Sequence, residues 1–270
     1  MRPHGQTLDT AGGLRQGVLI ERMTKTQHYR ETLARLIDWE PFLLAESGLP
    51  GPRGNLELAA VVADMGSRAQ FERFLSVPDE RAQVNSPGEF LVFCGVVGLG
   101  RLLAEGDHSL LPRIRRFASD FRWRTREAVA MALQRWGRSD MAALLAEMEH
   151  WAAGNRLEQR SAAAAVAEPA LLRNPADAGR ALSVLDTITR TIPGAPDRRT
   201  EDFNTLRQGL GYCWSVVVAA VPEAGKAAME RWFAADSPDV RWIMRENLKK
   251  NRLAQMDADW VTYWRDRLKT

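Results

Sequence analysis

The feature that most constrains the fold is an apolar spacing of three and four residues, which runs along nearly the whole chain. This spacing places apolar side chains on one face of a helix. From Glu21 onward, no segment alternates with the period of two that a half-buried strand requires. The sequence therefore predicts an all-α protein. The longest apolar stripe is Phe203, Leu206, Leu210, Cys213, Trp214, Val217 and Val221.

Proline and glycine divide this pattern into about a dozen helical segments. The loop Gly48–Pro52 follows one segment, and Pro222 begins another. Ser86, Pro87 and Glu89 are predicted to form a capping box, in which a serine and a glutamate bind the free N–H groups at a helix start. Short connections of this kind favour antiparallel pairs of neighbouring helices.

Residues 120–133 and 236–248 share one form, in which an acidic turn precedes an arginine and a leucine follows seven residues later. Arginines at equivalent positions are 34, 47 and 34 residues apart. The wider middle interval has room for one repeat and an inserted loop at Pro196–Thr200. We expect these arginines to bridge within or between repeats. They are Arg126, Arg160, Arg207 and Arg241.

Helix pairs that recur at this interval resemble HEAT repeats. The resemblance implies an α-solenoid of antiparallel helix pairs, because one amphipathic pair cannot bury its apolar face alone. Residues 21–270 would form a single domain of this type. Residues 1–20 are rich in glycine and polar residues and are expected to be a flexible leader.

The C-terminal part resembles a narrower family. Residues 206–215 lie on one helix, Pro222-Glu223 forms a turn, Trp232 lies on the next helix, and residues 239–250 contain a Trp-Ile-Met-Arg segment that ends in Lys-Lys. This order is similar to that in the C-terminal half of bacterial DNA alkylation repair proteins, which are HEAT-like alkylpurine DNA glycosylases. The Trp-Trp-x-x-x-Asp-like motif of one branch of that family is absent from this sequence, so no catalytic residue is carried over by motif.

Positive charge is concentrated in two segments. Residues 108–126 hold six arginines and one aspartate, and residues 241–252 hold five cations and one glutamate. These segments carry +5 and +4, and the remainder of the chain therefore carries −6. The pattern predicts a basic stripe that contacts phosphates; the alternative is a solvated surface with pairs inside each helix. The predicted nucleic-acid contacts are Arg113, Arg116, Arg122, Trp123, Arg124, Arg245, Lys249 and Lys250.

Trp123 and Trp242 stand beside arginines at helix starts, where an exposed ring can stack on a base or sugar. The competing interpretation is cation–π packing between repeats. A glycosylase also needs a carboxylate that stabilises positive charge on the sugar. Asp120 and Glu127 are the candidate acids, although helix capping and ion pairing are the alternative roles for both.

Other chemistries have little support. Cys94 and Cys213 are far apart within apolar helix patterns, so we expect neither a disulfide nor a metal site, and a reducing cytoplasm fits best. The four histidines lack paired ligand spacing, and no cofactor is expected. No apolar run reaches the roughly 20 residues that a bilayer requires.

Three functional hypotheses follow. The first is a HEAT-like protein that contacts DNA or another nucleic acid through a basic face. The second is a non-catalytic scaffold that binds a protein partner, since the fold alone does not separate the two. The third is an active alkylpurine DNA glycosylase.

Overall fold

A computed structural model describes residues 24–268. Within this range the chain forms α-helices and two short 3-10 turns without any strand, which confirms the all-α prediction. The predicted leader, residues 1–20, lies outside the described residues. The helices are α1 (Lys25–Arg35), α2 (Glu40–Ala45), α3 (Leu56–Met65), α4 (Arg68–Leu75), α5 (Pro87–Ala104), α6 (Leu111–Phe117), α7 (Trp123–Ser139), α8 (Met141–Trp151), α9 (Arg156–Val166), α10 (Pro175–Thr189), α11 (Glu201–Ala220), α12 (Pro222–Phe233), α13 (Pro238–Leu248), α14 (Asn251–Met256) and α15 (Ala258–Arg267).

The start of α5 shows how the sequence directs a helix. Pro87 occupies the first turn, and the Ser86 side chain accepts a hydrogen bond from the backbone N–H of Glu89. The other half of the predicted capping box is not formed. The Glu89 carboxylate instead accepts from the backbone N–H of Asn85, at 2.7 Å, and from Arg124, at 3.3 Å. A buried arginine therefore shares the glutamate that was expected to cap the helix.

Helix α5 is the centre of the N-terminal half. Fifteen of its eighteen residues are buried, and it contacts α2, α3, α4, α6 and α7. By length and composition it is the one helix in the described range that resembles a membrane span. Its burial by neighbouring helices accounts for that composition, since a helix that is apolar all round is expected in a protein core.

The odd-numbered helices form a continuous row. Each of α1, α3, α5, α7, α9, α11 and α13 contacts the next odd-numbered helix along the chain. Every even-numbered helix from α4 to α14 contacts at least one member of this row, and α8, α10 and α12 each contact the two row helices on either side of them in sequence. The apolar faces of consecutive helix pairs are thereby buried against one another.

The repeat arginines join helices of this row in three of four cases. Arg241 is the exception, because it is exposed and makes no ion pair within the described range, so the expected bridging role is wrong for it. The three ion pairs are Arg126 with Glu201, Arg160 with Glu127, and Arg207 with Asp239.

The predicted inserted loop is present, since residues 190–200 connect α10 and α11 without forming a helix.

The crossing of α5 and α7 provides a test of this packing. A Cβ atom at Gly100 would lie 2.4 Å from the Cα atom of Ala132, which is too close for any real contact. Gly100→Ala should therefore lower the free energy of unfolding by about 1–3 kcal/mol, because α5 must move away from α7. The measurement is urea denaturation followed by circular dichroism.

Gly179 is the matched control, because it also lies inside a helix but has open space where a Cβ would be added. Gly179→Ala should raise the free energy of unfolding by about 0.5–1 kcal/mol. If Gly100→Ala is as stabilising as Gly179→Ala, the two helices are not in close contact.

Candidate functional site

A groove of about 610 Å³ opens along α7, α9 and α11. Its lining residues follow the three- and four-residue spacing of single helix faces. They combine aromatic, charged and very small side chains. The main ones are Trp123, Glu127, Ala130, Met131 and Gln134 on α7, Arg160 and Ala164 on α9, and Thr205, Gln208, Gly209 and Tyr212 on α11.

Small residues create the hollow. Ala130, Ala164 and Gly209 line it on three successive row helices. A Cβ atom at Gly209 would lie 3.3 Å from the Cγ atom of Arg160, so the glycine leaves room for the arginine side chain to lie across the groove. Larger residues at these positions would fill the space between α7 and α11.

Two aromatic rings are exposed in the groove. Trp123, the first residue of α7, is 43% exposed, and Tyr212 on α11 is 47% exposed. The guanidinium of Arg124 lies 4.3 Å from the centre of the Trp123 ring, and that of Arg252 lies 5.0 Å from the centre of the Tyr212 ring. Rings that are fixed by an arginine yet still exposed can act as platforms for a planar group or a sugar.

Glu127 and Glu168 are the two carboxylates that line the groove, and Glu127 is the one on the same helix as Trp123. It lies one helical turn after Trp123, lines the groove, and forms an ion pair with Arg160. Its side chain remains 43% exposed, whereas that of Arg160 is only 12% exposed. The arginine therefore anchors a carboxylate that is still accessible from the groove.

Asp120, the other candidate acid, does not line the groove. Its carboxylate accepts three hydrogen bonds of 2.8 Å from the backbone N–H, Nε and Nη2 of Arg122. The side chain is 9% exposed. Asp120 therefore holds the turn before α7, which is the ion-pair role given above as its alternative.

The first basic segment is neutralised in space. Five of its six arginines form ion pairs, and five acids from outside the segment offset the +5 that was counted along the sequence. Arg116 alone in this segment is exposed and unpaired within the described residues. The pairs are Arg113 with Glu72, Arg115 with Glu158, Arg122 with Asp79 and Asp120, Arg124 with Glu89, and Arg126 with Glu201.

Arg122 and Arg124 were predicted to contact nucleic acid, but each is only 5% exposed. Arg124 donates to the Glu89 carboxylate at 3.3 Å, to the Gly51 carbonyl at 2.6 Å and to the Asn85 side chain at 3.1 Å. These bonds tie two loops to the start of α7. Both guanidinium groups are thus placed away from any external phosphate, contrary to the prediction.

The second basic segment, residues 241–252, retains its net charge of +4 in the fold, unlike the first segment. Within the described chain, no acid from outside residues 241–252 pairs with its cations, and Arg245 is exposed. Lys249 pairs with Glu246 of the same segment at 2.5 Å. The Lys250 ammonium lies 5.7 Å from the centre of the Tyr212 ring, so this segment borders the groove.

Trp242 fits the alternative interpretation, in which the ring packs against an arginine of a neighbouring helix. It is partly buried, and the guanidinium of Arg207 lies 4.5 Å from the centre of its ring. Trp242 also lies over Gly211, where an added Cβ would come within 3.3 Å of Glu246 and 3.2 Å of the indole. The indole therefore packs between α11 and α13 and is not a platform in the groove.

Cys213 lines the groove but is a poor nucleophile. Burial raises the pKa of its thiol to about 12, so the thiol stays protonated at neutral pH. Burial also raises the pKa of Cys94. Among residues 24–268, no group of three or more histidine, cysteine, aspartate or glutamate side chains is placed to hold a metal ion.

Sequence reasoning missed Tyr212 and the role of Arg160 as groove residues. Tyr212 falls between the apolar positions of α11, so it was not part of the predicted stripe. Gly209 and Ala164 carried the available signal, because small residues at matching positions of neighbouring helices indicate either close packing or a hollow.

Comparison with known protein families, curated proteins and solved structures found no match to this chain.

The buried Arg124–Glu89 pair gives a testable consequence. Arg124→Met leaves the Glu89 carboxylate, which is fully buried, without its cation. The free energy of unfolding should fall by about 3–5 kcal/mol. Adding Glu89→Gln to Arg124→Met should recover part of the loss, since it removes the uncompensated charge.

Arg116→Met serves as the control, because Arg116 is exposed; it should change the free energy of unfolding by no more than about 0.5 kcal/mol. Urea denaturation measures all three variants. Equal stability of Arg124→Met and Arg116→Met would show that Arg124 is not a structural residue.

Proposed function

We propose that this chain is a HEAT-like α-solenoid that binds nucleic acid, in particular duplex DNA, in the groove along α7, α9 and α11. The single observation that carries the proposal is the pair of exposed rings, Trp123 and Tyr212, on the two outer helices of that groove, with unpaired cations beside Tyr212. In this proposal the protein is related to DNA alkylation repair proteins.

The solenoid is supported by the row of odd-numbered helices. Consecutive contacts along the row, with even-numbered helices against it, are those of stacked helix pairs. Arg126, Arg160 and Arg207, which recur at intervals of 34 and 47 residues, each pair with an acid on another row helix.

Phosphate contacts are assigned to the second basic segment. Lys250 and Arg252 lie beside Tyr212 at one edge of the groove, where Arg252 also donates to the Tyr212 hydroxyl at 2.7 Å, and Arg245 and Lys249 are further cations of the same segment. Phosphates that bind there would displace counterions, which makes affinity dependent on salt. Of the first segment, Arg116 is exposed and available, whereas Nη1 of Arg113 donates to both carboxylate oxygens of Glu72 at 2.7 Å.

A peptide-binding scaffold fits the groove less well. Grooves that bind an amphipathic helix present a continuous apolar strip for anchors at helical spacing. Here the two exposed rings are separated by Glu127 and Arg160, which are charged. Isolated rings with charges between them suit sugars, bases and phosphates better than a row of leucines.

Binding is tested by fluorescence anisotropy with a labelled DNA duplex. Tyr212→Ala should weaken binding at least about fivefold, because it removes a ring that contacts sugar or base. The matched control is Tyr263→Ala, since Tyr263 is 49% exposed and also lies beneath an arginine, but is on α15 outside the groove. The control should bind as tightly as the wild type.

Salt dependence is the second readout. Four phosphate contacts predict a fall in affinity of roughly 100-fold between 50 and 200 mM salt. Binding that does not change with salt, or no binding at all, would contradict the proposal. Capture of a stoichiometric protein partner without retained DNA would favour the scaffold.

Glu127 supports a second candidate function, an alkylpurine DNA glycosylase. In such hydrolysis, the C1′–N bond breaks and its electron pair leaves with the alkylated base, which is cationic while attached and departs neutral. Water adds to C1′ and releases one proton to solvent. An anchored carboxylate opposes the positive charge that develops on the sugar. Glu127 is accessible beside Trp123 in the groove, which is where such a carboxylate is needed.

The assay is release of modified purines from alkylated duplex DNA. Glu127→Gln should reduce the rate of release at least about 100-fold while DNA affinity stays close to that of the wild type. Asp120→Asn is the control, because Asp120 is engaged by Arg122 outside the groove. Absence of release by the wild-type protein would reject the enzyme but not the binding proposal.

A further inference from the structure

A second cavity, which we call the side cavity, adjoins the groove. It measures about 270 Å³ and lies between the loop at residues 48–54, α5 and α7. Most of its lining side chains are apolar, and the charged ones are Arg53, Arg124 and Glu127. Trp123 and Glu127 line both the side cavity and the groove. A mainly apolar lining favours an apolar occupant.

A polar hollow, which we call the outer hollow, joins the side cavity to the start of the described chain. It measures about 490 Å³ and shares Arg53 and Gly54 with the side cavity. Its other walls include Lys25, the first residue of α1, and Tyr29, one turn later. The chain that precedes residue 24 therefore meets the fold at the edge of the outer hollow.

The outer hollow carries charges of both signs that lack partners. Glu46 and Glu57 line it together with Lys25 and Arg53, and none of the four forms an ion pair within residues 24–268. Two carboxylates and two cations are thus placed to pair with charges that a neighbouring segment brings.

The segment before α1 has an order of residues that matches these two spaces. Residues 18–20 are Val-Leu-Ile, the one run of three apolar residues in the first 23 positions, and Glu21 and Arg22 follow it. The run lies five to seven residues before Lys25, and that length of extended chain spans about 17–25 Å. This reach is enough to cross the outer hollow.

We infer that residues 18–22 of this chain dock on the fold, with the apolar run 18–20 in the side cavity and Glu21 and Arg22 in the outer hollow. Glu21 then pairs with Arg53, and Arg22 pairs with Glu46 or Glu57. A dry cavity of about 150 Å³ holds a benzene molecule, so the side cavity has room for two aliphatic side chains.

Tethering favours this occupant over a free one. A segment joined to the fold by a few residues has an effective concentration in the millimolar range, so it fills the cavity ahead of a separate peptide of equal affinity. The docked run would form part of the wall beside Trp123 and Glu127. The inference does not depend on what the groove binds.

Cysteine labelling of the full chain measures docking. The native cysteines are buried, and burial raises the pKa of both thiols, so neither reacts readily in the folded protein. Val18→Cys places a thiol in the apolar run, and Ala11→Cys places a control thiol outside it. The rate of each with a maleimide, read by mass spectrometry of its peptide, is divided by the rate in denaturing urea.

The normalised rate for Val18→Cys should be at least about tenfold below that for Ala11→Cys, because the docked run must open before it reacts. Gly54→Leu should bring the two rates within about twofold of each other, since it fills the path of the run. A Cβ atom at Gly54 would lie 3.8 Å from Phe90, which is an ordinary contact.

Gly179→Leu is the matched control, because Gly179 has open space around it, and it should leave the tenfold difference unchanged. Leu56→Trp is a second filling variant should Gly54→Leu not fold, since Leu56 lines the side cavity but not the outer hollow.

Equal normalised rates for Val18→Cys and Ala11→Cys in the unfilled protein would overturn the docking. Slow labelling of Val18→Cys that persists in a folded filling variant would overturn the assignment of the run to the side cavity. No nucleic acid is present in this experiment, so its failure leaves the proposed function standing, and failure of the DNA titration leaves this inference standing.

Discussion

Close approach between neighbouring row helices is the interaction on which the rest of the structure depends. At the crossing of α5 and α7 it is possible because Gly100 has no side chain, and the backbone of α7 fills the space beside it. Further along the row, small residues at Ala164 and Gly209 do not fill the gap between α7 and α11, and the groove results. A small residue on the inner face of a helix thus allows tight packing where α5 crosses α7 and leaves a hollow between α7 and α11.

Much of the fold could be predicted from the sequence, because helix signals are local. Apolar spacing gave α11 nearly to its ends, and Ser86 with Pro87 gave the start of α5. The intervals between arginines identified the three that join row helices. They did not distinguish these three from Arg241, which occupies an equivalent position in the sequence but is exposed. A repeat register fixes where a residue lies on its own helix, whereas its partner depends on which helix comes to face it.

The candidate site was predicted less well, because the charge around a side chain and its exposure depend on which distant parts of the chain lie next to it in the fold. Arg122 and Arg124 looked like phosphate contacts beside other arginines, yet Glu89, from a helix earlier in the chain, pairs with Arg124 in the interior. Trp123 was identified because it stands beside arginines at a helix start, and Glu127 because it is an acid close in sequence to that basic segment. Tyr212 was missed, since only the packing of α11 against α9 brings it to the same groove.

Binding in the groove is measured by hydroxyl-radical footprinting of the protein, free and bound to duplex DNA, with oxidation read by mass spectrometry. We expect the oxidation of Trp123 and Tyr212 to fall severalfold in the complex, while Tyr263 and Ile37, which are also exposed, are oxidised as before. Unchanged oxidation of Trp123 and Tyr212 in a saturated complex, or protection of Tyr263 in their place, would contradict the assignment of the groove as the nucleic-acid site.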